Sequence, residues 1–525
     1  MCTAVDRQGN PSYSVGQRAI TEVNKIKLAW NSLSGVGLFF TDAVISLVMT
    51  PIVVTALGRR DYGLWELMLS VVGYLGILDI GMSPAVMQQV AHAEAKEDQQ
   101  QLNRVFNTGM AALCGAGVIG AAIIGVLSLW GDAILGLKPA ELPYIGLLFG
   151  LFAVHLVVGF VMSAVTAFMM GLQYHRLINA VRVVTTLVQA LLIYSVLMSE
   201  REPALVYMSL VVLSVNAVQT VLFMFWILRR SSIRIGVTFV SLQTARELLT
   251  FGLKSTLLMA SATLLRRAAL FVIAHVVSVA AVAYFVIPSR LAEYAQRLSL
   301  AMGFPLTPYF TALAGRGGIE AARAAWFPVT RALQFVALGM PVAVAWLGDP
   351  FLGRWMGSEY ADNGRGVLYF LCGALLIQGV ACNASRVLMS MGKHGRIALL
   401  SAALSPVAIV FSIYSGRRWG IVGIAGVLAG YSAIQAIGEL YFACRELQIL
   451  VWDHLCRTAA RYVLPLSICA GTFFLLRQAE VPETYSEILL QGTVAGVIYL
   501  AASFLFALDR NERYVMIAWL RERLS

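Results

Sequence analysis

The sequence predicts an all-α integral membrane protein of about 14 transmembrane helices, arranged as two six-helix bundles related by a parallel internal repeat, with two additional C-terminal helices. Three observations predict it: a composition rich in apolar residues and poor in charge, long uninterrupted apolar runs, and short motifs that recur at a near-constant offset. Of the 525 residues, 59% are hydrophobic and only 13% are charged, and the mean hydropathy is +0.76. A water-soluble chain carries about 25% charged residues. With half that share a chain of this length cannot dress a polar surface, whereas a surface facing lipid needs no charge.

Crossing about 30 Å of hydrocarbon takes roughly 20 helical residues. Apolar runs bounded by charged or Gly/Pro clusters predict helices at 32–57, 63–90, 105–130, 143–170, 177–198, 203–228, 252–279, 281–311, 324–347, 365–391, 395–415, 419–443, 460–477 and 486–508. A β-barrel would instead need alternating segments of about 10 residues. Gly and Pro interrupt the second and eighth runs, and Ser241–Phe251 reads as an interfacial amphipathic helix. The expected organisation is an N-terminal segment (1–31), a six-helix bundle (32–228), a linker with the amphipathic helix (229–251), a second bundle (252–443), a connecting segment with two more helices (444–508) and a tail (509–525).

Orientation follows from Lys and Arg in the loops. The N-terminus, the even-numbered loops and the C-terminus hold about 24 of them, against about 9 on the other side, which predicts cytoplasmic termini. The heaviest contributors are Arg229, Arg230, Arg234, Arg246 and Lys254 in one loop and Arg510, Arg513, Arg521 and Arg523 in the tail. The net charge of +11 is therefore a topology signal, and nucleic acid is not an expected partner. Residues 1–28 are polar and precede no cleavage site, so no cleavable signal peptide is expected. Trp65, Trp130, Tyr144, Trp346, Trp355 and Trp419, near the ends of runs, suit interfacial belts.

The repeat rests on several weak matches. Asp61-Tyr62-Gly63-Leu64 opens the second run and Ala283-Tyr284-Phe285-Val286 the eighth; Gly81 with Pro84 echoes Gly303 with Pro305. Met170-Gly171 closes the fourth run and Met391-Gly392 the tenth; Asn216-Ala217-Val218-Gln219 echoes Ser432-Ala433-Ile434-Gln435. Two copies in one orientation are a common transporter design, with the substrate site between the halves.

An ionisable side chain deep in a span costs roughly 2.5–3.5 kcal/mol on insertion scales, so each demands a reason. Arg266 and Arg267 lie mid-way along the seventh run. Neighbours on a helix point about 100° apart, so both cannot reach one interface. At least one should face a polar interior, either an anion-binding cavity, where guanidinium forks match phosphate oxygens, or an internal ion pair. Arg290, Glu293 and Arg297 share one face of the eighth run and can neutralise one another. Arg386 lies in the tenth run. Substrate contact is expected of the five arginines, and coupling or gating of Asp42, Asp79 and Glu293. Under the repeat offset Asp42 falls within about a turn of Arg266, which allows either a state-dependent pair or a proton-carrying carboxylate. Asp79 beside Gly81 and Pro84 also reads as a group that satisfies the backbone of a broken helix. Glu66 and His155 lie nearer helix ends and carry no expected role.

Covalent chemistry has no signature here. There is no phosphate loop for ATP, no H-E-x-x-H, no G-x-S-x-G and no large loop that would form a catalytic domain. The seven cysteines are scattered, without C-x-x-C spacing, and read as small apolar residues. No enzyme, cofactor or metal is expected.

The stretch Leu57-Gly58-Arg59-Arg60-Asp61-Tyr62-Gly63-Leu64-Trp65, then Gly73-Tyr74-Leu75-Gly76-Ile77-Leu78-Asp79-Ile80-Gly81-Met82-Ser83, and Asn103-Arg104 after an acidic, Gln-rich loop, resemble the N-terminal signature of polysaccharide biosynthesis flippases. These belong to the multidrug/oligosaccharidyl-lipid/polysaccharide exporter superfamily. The resemblance implies two bundles around a central cavity, alternating access, a bacterial inner membrane and a substrate such as an oligosaccharide on undecaprenyl pyrophosphate. It also implies membrane lipids and a glycan polymerase or other pathway proteins as partners. A cation-coupled multidrug exporter of the same superfamily is the competing expectation, with Asp42 as its coupling carboxylate. The mid-membrane arginines favour an anionic substrate.

Overall fold

The computed structural model describes residues 15–514, apart from 80, 130–143, 200–201, 232, 304–305, 394, 480–481 and 511. Trp130, Pro305, Arg521, Arg523 and the Lys254 side chain lie outside the described residues. Regular structure among those described is entirely helical: α1 (Val15–Leu75), α2 (Met82–Ala95), α3 (Gln99–Ser128), α4 (Ile145–Gly171), α5 (His175–Met198), α6 (Ala204–Arg230), α7 (Leu242–Val276), α8 (Val279–Gly303), α9 (Leu306–Met356), α10 (Ser358–Val380), α11 (Ala384–Ser390), α12 (Gly395–Glu446), α13 (Val451–Arg457), α14 (Ala460–Ala479) and α15 (Tyr485–Phe506). In hydrocarbon no water meets the backbone, so each span must satisfy its own N–H and C=O groups, as a helix does.

Among the described residues nine helices are long and apolar enough to cross a membrane, or ten if α10 and α11, bent by 49° at their break, are one span. The protein is therefore a multi-pass membrane protein, with fewer qualifying helices than the expected 14. The shortfall has physical causes. Gly58 (φ 75°) splits α1, and Gly420 (φ 60°) splits the 52-residue α12, each joining two expected runs. A straight helix of 52 residues would be about 78 Å long, more than twice the hydrocarbon thickness. α7 and α8 have the length, but Arg266, Arg267, Arg290, Glu293 and Arg297 interrupt their apolarity. The expected amphipathic stretch Ser241–Phe251 is helical from Leu242 and runs on without interruption into the rest of α7.

The chain divides into two compact units. The described part of the first holds α1 to Ala56, then α2 to α6 and the segment up to Leu253. Its core joins Val86, Val90, Phe106, Phe168, Ile178, Phe223, Ile227, Ile233 and Leu248. The segment after α6 is bound to α3 by buried polar side chains. Asn103 Oδ1 accepts from Arg234 N (2.7 Å), Asn107 Oδ1 from Gly236 N (2.9 Å), and Thr108 Oγ1 from Ser241 N (3.0 Å), while Asn107 Nδ2 donates to Arg234 O (2.8 Å).

The second unit holds Leu57–Tyr74 of α1 and the described residues from Lys254 onward. Here α10 breaks at 381–383, which frees carbonyls inside the protein. Val380 O accepts from Gln334 Nε2 (3.1 Å) and His454 Nε2 (3.0 Å). His454 Nδ1 accepts from Trp326 Nε1 (3.1 Å), so both ring nitrogens are used and the imidazole is neutral. The short α13 thus plugs the break and leads into α14 and α15. That pair is tied to α9 by Arg331, whose side chain is only 4% exposed. Arg331 donates to Asp509 (2.7 Å), Glu512 (2.5 Å) and Arg457 O (3.0 Å). Tyr462 closes the cluster by donating to Arg331 O (2.7 Å). The hydrogen bond from Arg461, then Arg331, holds the Asp509 carboxyl below the usual carboxylate range.

Two expectations follow. Arg331→Met removes one donor from each of Asp509, Glu512 and the Arg457 carbonyl, while Arg461 still serves Asp509; with both carboxylates partly wet, a loss of about 1–3 kcal/mol is expected, read as a lowered Tm in detergent. Burial lowers the pKa of His454 below its ordinary 6.5, against the opposing hydrogen bond to Val380. Below 6.5 the unfolded chain takes up a proton that the folded chain refuses, so stability falls on acidification. Tm should drop from about pH 7 to about pH 5, and His454→Gln should flatten that slope. An equal slope in both proteins would assign the acid sensitivity elsewhere.

Candidate functional site

The stretch of α1 after Gly58 carries Arg59, Tyr62, Glu66, Ser70 and Gly73 at spacings of three and four, which puts them on one helix face. That face packs into the second unit. A Cβ on Gly63 would overlap the Val279 carbonyl, so glycine permits the approach of α1 to the start of α8. Tyr62 donates to Glu66 (2.9 Å), and Glu66 meets Arg290 Nη2 at 2.5 Å. Glu66 is 7% exposed, and the Arg290 guanidinium lies 6.0 Å over the Tyr62 ring. Nearer the helix end, Arg59 donates to Tyr284 and pairs with Glu359, and Tyr284 also donates to Glu359; these groups are exposed.

Glu66 is the residue the sequence reading passes over. It lies eight positions beyond the Gly58 break, about 12 Å along the helix, deep enough to require a counter-ion. The signal that finds it is the spacing on the α1 face. An apolar run that opens at residue 63 puts Glu66 at a helix end and hides that depth.

The expected site residues distribute as follows. Arg290 is neutralised by Glu66. Arg297 pairs with Glu293 at 3.7 Å, both half-exposed, so the expected triad resolves into two carboxylate partners on different helices. Arg386 donates to the Cys382 carbonyl and to Leu300 O (3.4 Å), with its guanidinium lying where a Cβ of Gly303 would be. Glu439 and Gln435 of α12 form a hydrogen-bonded pair (3.4 Å), and Gln296 bonds Gln378 (2.9 Å). Arg267 is half-buried with its Cζ 2.7 Å from where a Gly73 Cβ would stand, and Arg266 is exposed. No ion pair reaches either of them among the described residues. Asp42 is exposed on α1 in the first unit, and Arg266 belongs to the second. Asp79 Oδ1 accepts from Ser83 N (2.9 Å) across a 3-10 turn and the left-handed Gly81. It therefore satisfies the backbone of a broken helix.

Among the described residues no group of His, Cys, Asp or Glu is arranged to hold a metal. What the arrangement offers is charge: two partnered arginines, one held by carbonyls, and an adjacent pair without a counter-ion among the described residues. Such guanidinium groups bind phosphate oxygens by bidentate hydrogen bonds.

A family model described as polysaccharide biosynthesis protein matches residues 29–314. No curated protein matches the chain. Solved structures with a similar fold include the lipid II flippase MurJ in an inward closed conformation, 12% identical over 90% of this chain and 98% of that one, with a TM-score of 0.66. A multidrug resistance MATE family transporter of the MOP superfamily, inward-facing, is 14% identical over 77% of this chain and 94% of that one, with a TM-score of 0.65. A point mutant of the Vibrio cholerae MATE transporter VcmN is 14% identical over 82% of this chain and 98% of that one, with a TM-score of 0.56. At these identities the likeness is one of fold. The family match spans more than half of the sequence and includes Glu66, Arg266, Arg267 and Arg290, and the chain belongs to the polysaccharide biosynthesis protein family.

Proposed function

We propose that the protein is a flippase that carries a lipid-linked oligosaccharide, of the undecaprenyl-pyrophosphate type, across the bacterial inner membrane by alternating access, with both termini cytoplasmic. The observation that carries this reading is the state of Arg266 and Arg267. Each charge at that depth costs roughly 2.5–3.5 kcal/mol on insertion scales, and no protein carboxylate offsets it among the described residues. Arg290 and Arg297, on the next helix, α8, both have carboxylate partners. An anionic headgroup in transit supplies the missing partner for the adjacent pair. Arg290, Arg297 and Arg386 act second, by exchanging their present acceptors for phosphate oxygens. Asp42, Asp79 and Glu293 then serve coupling or gating, and a glycan polymerase or another pathway protein receives the product. Membership of the polysaccharide biosynthesis family supports the glycan, and a protein of the same fold is a lipid II flippase. The multidrug exporter reading calls for a cationic or apolar cargo, which adjacent unpaired arginines disfavour.

The test is transport in proteoliposomes of a fluorescent polyprenyl-pyrophosphate sugar. Arg266→Gln/Arg267→Gln should slow it roughly tenfold to hundredfold, the worth of about one charge-assisted hydrogen bond, and the Lys/Lys version should recover part of the rate. Wild-type rates in the Gln/Gln protein, or transport of a cationic drug with no movement of the polyprenyl sugar, would overturn the reading.

A further inference from the structure

The segment between the sixth and seventh helices has a surface that transport does not use. Residues 229–250 hold four arginines (Arg229, Arg230, Arg234, Arg246) and one carboxylate, Glu247, which takes a hydrogen bond from Gln243 (3.2 Å). All four arginines are exposed or half-exposed, and none has a carboxylate partner among the described residues. Between them Ile235 is 63% exposed, and Val237 and Leu242 are each 87% exposed. The backbone explains why these side chains point outward. Asn103, Asn107 and Thr108 bind the main chain at Arg234, Gly236 and Ser241, and Ile233 and Leu248 enter the core of the first unit. The intervening apolar residues are held out on a braced strap.

The depth of the strap follows from the helices it joins. α3 begins, α4 ends, α5 begins and α6 ends at this end of the unit, and Arg229 and Arg230 close the apolar span Ala204–Arg230. Arg229 folds back over the Phe225 ring (4.8 Å), as a residue at the headgroup level does. Exposed apolar side chains flanked by unpaired cations at the end of a span match the boundary between headgroups and acyl chains. They match anionic headgroups in particular, because zwitterionic ones offer no net charge to four arginines.

We infer that residues 229–250 form a binding surface for anionic phospholipid, with Ile235, Val237 and Leu242 inserted among the acyl chains and Arg229, Arg230, Arg234 and Arg246 on the headgroup phosphates. The surface lies within the first unit, apart from Arg266 and Arg267, so it stands or falls independently of the substrate assignment. Native mass spectrometry of the detergent-solubilised full chain, titrated with phosphatidylglycerol or phosphatidylcholine, tests it. Wild type should retain phosphatidylglycerol in preference. Replacing the four arginines with Gln should weaken that binding at least about tenfold, and Val237→Ser/Leu242→Ser should weaken both lipids. Arg417→Gln/Arg418→Gln, which removes two exposed charges elsewhere, should leave binding as in wild type. Equal retention of the two lipids, or an equal loss in the Arg417/Arg418 control, overturns the inference. Should the fourfold variant fail to fold, photoreactive phosphatidylglycerol on the wild-type chain decides it. Labelling of peptides within 229–250 supports the surface, and labelling confined to other peptides refutes it.

Discussion

A charge buried at bilayer depth must meet an opposite charge or a set of dipoles, and the Glu66–Arg290 pair is where this constraint shapes the molecule most. Glu66 has almost no access to solvent, and its hydroxyl partner Tyr62 is 2% exposed. Removing either ion of such a pair strands the other, which is worse than having neither. The pair therefore fixes the stretch of α1 after Gly58 against α8, and Gly63 lets the backbones approach closely enough for it to form. That is why Leu57–Tyr74 packs with the second unit although its chain neighbours belong to the first.

The same constraint accounts for several polar groups in the interior. A broken span exposes backbone carbonyls and N–H groups that lipid cannot satisfy, and the side chains nearby answer them. Asp79 takes an N–H at the 3-10 turn before α2. Gln334 and His454 take the Val380 carbonyl at the break after α10, and Arg386 takes the Cys382 carbonyl in that same break. Each has a structural duty that alone would justify its presence in the membrane. Arg266 and Arg267 have no such duty among the described residues, which is what makes them informative.

Much of this was legible in the sequence, and the misses share a cause. The helices at 145–171, 175–198, 204–230 and 485–506 fall within about two residues of the apolar runs, because a span ends where charge begins. Both Met-Gly pairs lie at helix ends closed by a bond from residue i to i−5, Tyr174 N to Met169 O (3.0 Å) and Lys393 N to Leu388 O (2.8 Å), but the left-handed residue is Gln173 in the first and Gly392 itself in the second. Asp79 was legible as a backbone partner because Gly81 and Pro84 stand beside it. Glu66 was not, since its partner is 224 positions away and nothing local to it looks irregular. The plug formed by His454 was equally invisible: a lone histidine in a short polar segment gives no hint that it serves a helix break in a distant span. Pairings between distant helices are set by tertiary packing, and hydropathy carries no record of them.

Residue type alone does not separate the arginines of this chain into their tasks; their neighbours do. Arg267 and Arg386 lie against Gly73 and Gly303, positions where any side chain would collide with the guanidinium. The glycine at each place leaves room for the guanidinium that a Cβ would take away. Arg229, Arg230, Arg234 and Arg246 have no such place. Their companions are Ile235, Val237 and Leu242, exposed apolar groups that make sense only beside acyl chains. The first pair lies against the protein's own glycines, and the further inference gives the second set to the bilayer. A guanidinium held rigidly at depth can discriminate one phosphorylated headgroup from another by geometry, whereas a mobile one at the surface responds only to the charge of the leaflet. Under the proposed function, selectivity for the cargo is assigned to the arginines at depth, Arg267 among them, and under the further inference any dependence on lipid composition is assigned to the strap.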